Sequence, residues 1–229
     1  MADLTFLRPF WRYYGGKWLA SPKYPTPGFG TIVEPFAGAA GYSLRHYWRD
    51  VLLIEKYDVI AELWRWLIGE SAAVIRLIPI VGSVDDLPAW VPEGGRSLVG
   101  FNLNPGSAAP KRTATERSKA YGWNAQMRHR AAAQVEHIRH WRVIEGSYEL
   151  APDALATWFI DPPYQRQGKY YRHSTRDIDF AALARFCRAR RGQVIVCENK
   201  GADWLPFSRF ADPLRLGKSE EVVWGNFTA

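Results

Sequence analysis

The chain is poor in cysteine and has no long apolar run. Two cysteines in 229 residues, Cys187 and Cys197, exclude a disulfide framework and a cysteine-rich zinc module. Their apolar neighbours mark them as buried thiols, one on a predicted helix and one on a predicted strand. No apolar run reaches the roughly 18–20 residues of a membrane span, and the first residues lack a signal-peptide pattern, so a soluble cytoplasmic protein is expected. The five histidines show no metal-ligand spacing, which sets metal chemistry aside. Internal repeats and low-complexity tracts are missing too, which excludes solenoids and linkers. Acidic residues are outnumbered, 23 against 30 Lys and Arg, and the net charge of +7 favours a polyanionic partner without naming it. What the chain does have is 47% hydrophobic residues, ample for a sizeable core.

Two apolar strands carry the chemistry. Residues 157–160 read as a buried strand that delivers Asp161, Pro162, Pro163 and Tyr164 to the surface. The two prolines fix φ and remove two donors, leaving a stiff loop with a free Pro162 carbonyl. Asp161 and that carbonyl can accept bonds from an exocyclic amino group while Tyr164 stacks on the ring that bears it. Upstream, residues 31–33 run into Glu34, Pro35, Phe36, Ala37, Gly38, Ala39, Ala40 and Gly41, with residues 42–48 reading as a helix. Gly38 and Gly41 allow close approach of the backbone to a ligand, and the amides at the helix start are free to face it. No Gly-Lys-Ser/Thr follows and the glycine spacing is not that of a dinucleotide fingerprint, so nucleoside triphosphates and nicotinamide cofactors are poorly supported. Residues 51–54 form the next strand and end at Glu55, placed for ribose hydroxyls.

The remaining pattern alternates helices and strands, which argues for a mostly parallel α/β sheet. Residues 57–69 read as an amphipathic helix, 79–110 lose clear periodicity, 120–141 read as helical again, and 180–189 form a last helix. Later strands are expected at 158–160 and 193–197, with a final hairpin containing 222–224. Basic residues gather in three places: Lys111, Arg112, Arg117 and Lys119 in a loop-like stretch, Arg128, Arg130, Arg139 and Arg142 on a helix-like one, and Arg166, Lys169, Arg172 and Arg176 after the double proline. Phosphates on either side of an extruded base need such groups.

Four pieces, in this order, carry a family resemblance: Tyr14, Gly15, Gly16 and Lys17; the stretch from Glu34 to Gly41; Asp161, Pro162, Pro163 and Tyr164; and Glu221, Val222, Val223, Trp224, Gly225 and Asn226. Together they resemble the Dam-type DNA adenine methyltransferases, over nearly the whole chain. The resemblance implies a Rossmann-like class I methyltransferase fold, α/β, with a mostly parallel seven-stranded sheet and an antiparallel edge hairpin. It implies a catalytic domain over 1–69 and 141–229 and a target-recognition insert over 70–140. The implied reaction is site-specific methylation of the adenine amino group in double-stranded DNA, by base flipping, with S-adenosylmethionine as cofactor, S-adenosylhomocysteine as product and no metal. A bacterial or phage-borne enzyme, linked to restriction-modification, is the compatible biological setting.

Carried over residue by residue, the catalytic group is Asp161, Pro162, Pro163 and Tyr164. The cofactor group is Tyr14, Gly15, Gly16, Lys17, Glu34, Pro35, Phe36, Ala37, Gly38, Ala39, Gly41, Glu55, Ser147, Tyr148 and Asp161. DNA contacts are expected from Lys111, Arg112, Arg117, Lys119, Arg128, Arg166, Lys169 and Arg172. Lys17 is placed at the cofactor carboxylate or at the DNA near the target. Phe36 shapes the cleft, and Glu34 engages the sulfonium end or orients the loop. The stretch from Glu221 to Asn226 reads as a structural edge strand. Two departures stand out: Glu55, Lys56, Tyr57 and Asp58 replace the family's Asp-x-Asn, and Ser147 stands where an acid is expected to meet the cofactor's adenine. The amino group of cytosine, or one in RNA, remains an alternative target, and a DNA-binding protein that has lost catalysis is another.

Overall fold

Alternate side chains along each central strand go to opposite sides of one sheet, as a pleated strand buried on both faces requires. The computed structural model describes residues 5–118, 122–168, 171–210 and 220–227. Its parallel strands are β1 (Thr31–Glu34), β2 (Asp50–Glu55), β3 (Arg142–Glu145), β4 (Leu155–Ile160) and β5 (Arg191–Asn199). Two antiparallel strands, β6 (Ser208–Arg209) and β7 (Glu221–Gly225), complete a seven-stranded sheet in the order β3-β2-β1-β4-β5-β7-β6. This is the Rossmann-like arrangement with an antiparallel edge that the sequence implies.

Ile32, Val51, Leu53, Phe159 and Ile195 pack on one face, beneath α1 (Asp58–Gly69), α3 (Glu93–Leu103) and α4 (Ala125–Gln134). Val33, Leu52, Ile54, Trp158, Ile160, Val194 and Val196 pack on the other, against Leu183, Ala184 and Cys187 of α5 (Phe180–Ala189). The 70–140 segment contributes α2 (Ala72–Leu77), α3 and α4, and its apolar residues share one core with α1 and the first face of the sheet. Both cysteines are buried as free thiols. Among the described residues, no helix is long and apolar enough to cross a membrane.

Three elements differ from the sequence pattern. Residues 79–110 hold a whole helix, α3, whose Gly94 and Gly95 each cost roughly 1 kcal/mol in helix propensity and so hide it. Packing accounts for them, because a Cβ on Gly94 would lie 2.3 Å from the Cβ of Trp66 on α1. Residues 42–48 form only a short 3-10 turn, Ser43–His46, since Tyr42 is held flat against Phe159 (4.3 Å, 3°) and β2 begins at Asp50. Within 120–141, α4 starts at Ala125, where the Asn124 side chain accepts from Met127 N, and passes into a 3-10 turn at Val135–Ile138.

Candidate active site

The sheet order reverses between β1 and β4. β1 connects towards β2 on one side and β4 towards β5 on the other, so a crevice opens at their carboxyl ends. Residues Ile32 and Val33 pair with Thr157 and Trp158, which brings Glu34 and Asp161 to the same edge of the sheet. A cavity of about 370 Å³ lies there, within the roughly 300–1,000 Å³ of small-molecule sites. Every residue of the expected cofactor group lines it, from Tyr14 and Lys17 through the Glu34 to Gly41 turn to Glu55, Ser147, Tyr148 and Asp161.

The turn after β1 is tightly built. Gly38 takes a φ of +45°, a conformation favoured by glycine, and Ala40 sits in the left-handed region at 48°. Its amides do not all face the cavity: Gly38 N donates to Glu55 Oε2 at 2.9 Å and Ser43 N to Glu34 Oε1 at 2.8 Å. The other Glu55 oxygen accepts from Tyr57 N at 2.9 Å and the Lys56 amide also donates to this carboxylate, so the strand end is fixed by three amides and keeps limited acceptor capacity for a ligand. Burial pushes Glu55 above the usual carboxylate range and Glu34 up to about 8, in the latter case against its bonds to Ser43. Phe36 stacks on Tyr148 at 5.5 Å and 28°, forming an apolar wall. Next to it, the Ser147 hydroxyl donates to the Glu149 carboxylate, which also lines the cavity.

Asp161 occupies the end of β4, and burial pushes its carboxyl up to about 6 against the opposing pull of Lys17. The Lys17 ammonium lies 2.8 Å from Oδ1 and donates to Oδ2 at 2.9 Å and to Gly15 O at 3.1 Å. Burial acts to discharge Lys17, but Asp161 and then Glu221 outweigh it and hold the ammonium charged. Asp161 Oδ1 is buried with no aligned hydrogen-bond donor, despite its nearness to Lys17. Its charge is met by the same ammonium, so Lys17 engages both carboxylate oxygens.

Pro163 lines the cavity with Asp161, whereas Pro162 and Tyr164 lie outside its wall. The Tyr164 hydroxyl donates to Glu221 Oε1 at 2.9 Å, and Lys17 sits 4.7 Å above its ring. The loop beyond is tied to β5, where Glu198 accepts from Gln165 N at 2.7 Å and from Trp204 Nε1 at 3.1 Å.

Several cavity residues carry no motif signal. Tyr13 packs against the Gly38 turn, and a Cβ on Gly38 would come 3.1 Å from its ring. Tyr171 donates to Tyr14 O at 3.2 Å and lies over Gly15, where a Cβ would meet its hydroxyl at 2.1 Å. Tight glycine contacts are visible only once the chain is folded. Glu221 corrects a plainer expectation: β7 is not the edge, since it lies between β5 and β6, and its first residue reaches the Asp161 loop.

Of the expected nucleic-acid contacts, Lys111, Arg166 and Arg172 are exposed, and Arg172 lines the cavity. Arg112 is paired with Asp85 at 2.5 Å, and Arg128 donates to Ile78 O at 2.9 Å. Lys119, Lys169 and the Arg117 side chain lie outside the described residues.

No family model matches the sequence, and no curated protein matches it. A similar solved structure is the rRNA methyltransferase aviRa from Streptomyces viridochromogenes, at 16% identity and a TM-score of 0.41, covering 90% of this chain and 80% of that one.

Proposed function

We propose that this chain is an S-adenosylmethionine-dependent methyltransferase acting on the exocyclic amino group of adenine in DNA. The observation that carries the reading is Asp161: a mostly buried carboxylate at the β1/β4 switch point, beside the glycine turn and on the wall of the cavity. A primary aromatic amine brings two N–H donors and no charge, which suits such an acceptor.

The residues present fit the cofactor. Glu55 offers its remaining acceptor site to a ribose hydroxyl, and the Phe36 and Tyr148 rings give an apolar wall for adenine. Ser147 and Glu149 offer polar partners at the wall's edge. When bound, S-adenosylmethionine supplies a methyl carbon made electrophilic by its sulfonium.

The rest of the chemistry falls to the chain. An exocyclic amine is a poor nucleophile because its lone pair is delocalised into the ring. The Asp161 carboxylate and the Pro162 carbonyl would accept its two hydrogens, orient the nitrogen in line and favour a tetrahedral geometry. During methyl transfer the carboxylate would stabilise the positive charge that grows on nitrogen. A carboxyl near 6 is also suited to take the proton that the methylated nitrogen then sheds. Tyr164 offers its ring to the base from outside the cofactor cavity. A paired base cannot reach this depth, so the target is flipped, at a cost of about a few kcal/mol. Exposed Arg166 and Arg172 serve the flanking phosphates. Calorimetry with S-adenosylmethionine tests the reading first: saturable binding separates it from a DNA-binding protein without catalysis, and failure to bind sinks it.

A further inference from the structure

Glu221 opens β7, paired with Asn199 of β5, and its side chain is 16% exposed. It is absent from the wall of the cofactor cavity, yet one of its oxygens organises the Asp161 loop. Oε1 accepts from the Tyr164 hydroxyl at 2.9 Å and from the Tyr24 hydroxyl, and it lies 3.8 Å from the Lys17 ammonium. Tyr24 is itself wedged between Phe159 of β4 and Phe210, with ring centroids at 5.0 and 4.6 Å, so the anchor stands on the core. Lys17 then reaches from Glu221 to Asp161 across the Tyr164 ring.

We propose that Glu221 is a positioning residue for the Asp161 loop: it fixes the Tyr164 hydroxyl and the Lys17 ammonium, and so sets where the Asp161 carboxylate points without touching substrate or cofactor. Hydrogen bonds to an ionised acceptor are roughly twice as strong as neutral ones, which makes a carboxylate a firmer anchor for two phenols than an amide. Holding Lys17 between two carboxylates, 2.8 Å from Asp161 Oδ1 and 2.9 Å from Oδ2, fixes the side from which the ammonium meets Asp161 and leaves the opposite side of the carboxylate to an incoming amine. The inference rests on the methyltransferase reading only for the identity of that amine.

The acidic and basic groups facing Asp161 come from four elements: Lys17 on the N-terminal loop, Glu34 on β1, which burial raises to about 8 and so keeps mostly neutral near pH 6, Glu198 on β5 and Glu221 on β7. Tyr24, Tyr164, Tyr171 and Cys197 also face it, and burial pushes each of them up, so they are neutral near pH 6. Removing the Glu221 charge therefore withdraws a like charge from Asp161 while leaving Lys17 beside it.

The test is a titration of the Asp161 carboxyl by carbon-13 NMR, without cofactor or nucleic acid, in the wild type and in E221Q, whose amide still accepts from the two phenols. A midpoint near 6 that moves lower in E221Q is expected; an unchanged or higher midpoint overturns the inference. Methyl transfer supplies the second arm. E221A and Y164F should each lower kcat by up to about 100-fold, as expected for a misplaced reacting group, with KM for S-adenosylmethionine little changed. The double variant should lose no more than the worse single one, because both break the same anchor. Multiplying losses, or a rise in KM alone, overturn the positioning role. If the wild type transfers no methyl group, the functional reading fails, and the titration still tests whether Glu221 is coupled to Asp161, without which the positioning role falls.

Discussion

Replacing Lys17 by Met removes the cation that lies against the Asp161 carboxylate and leaves the side chain's size nearly unchanged. Lys17 and Asp161 are 9% and 18% exposed and 2.8 Å apart, so the variant strands a charge that solvent reaches poorly. Breaking a buried pair from one side costs about 3–5 kcal/mol. For a chain of this length each kcal/mol shifts Tm by about 2–4 °C, which gives a loss of about 6–20 °C. The sign of the pH dependence follows from Asp161, which burial already pushes up to about 6 with Lys17 in place and which rises further without it. A carboxyl raised above its unfolded value gives stability that is fully present below that value and lost as pH rises through the folded one. The deficit of Lys17→Met is therefore largest near about pH 8 and smallest near about pH 4.5, and Lys17→Met/Asp161→Asn recovers most of it. Urea unfolding of the three proteins at both pH values measures this. A deficit below about 1 kcal/mol, typical of exposed pairs, or one equal at both pH values, would refute the reasoning.

Methyl transfer should rise with pH through about 6 as Asp161 ionises, read as the acid limb of kcat/KM; a flat profile there removes the carboxylate from the chemistry. Glu34 is raised to about 8, so its contribution to stability is lost as pH climbs from its ordinary value through 8; Glu34→Gln should flatten that decline in urea unfolding. Gly38→Val forces a β-branched residue into a φ of +45° and against the Tyr13 ring at 3.1 Å, so calorimetry should show S-adenosylmethionine binding weakened at least tenfold in the folded variant.

Much of the fold is legible because the strands are apolar runs ending in chemistry. Val33 then Glu34, Ile54 then Glu55, and Ile160 then Asp161 each mark a carboxyl end, and the structure sets all three at one crevice. What stayed hidden depends on contacts across the sequence. Gly94 and Gly95 look like helix breakers until Trp66 fills the space beside them, and Tyr42 looks helical until Phe159 flattens it. Within the site, Glu221 was unreadable because its role comes from a strand order, β5-β7-β6, that places a late residue beside Lys17. Tyr171 was missed for the same reason, since its meaning lies in what it covers, the Gly15 turn.

The most direct measurement is transfer of a tritiated methyl group from S-adenosylmethionine to DNA by the purified protein, followed by nucleoside analysis, with Asp161→Ala beside the wild type. The account expects label in methylated adenine, and a loss on the order of 100-fold or more in the folded variant, as when one preorganised charge-stabilising group is removed. Label confined to cytosine or to RNA contradicts the assigned substrate. An Asp161→Ala protein as active as the wild type contradicts the assigned site.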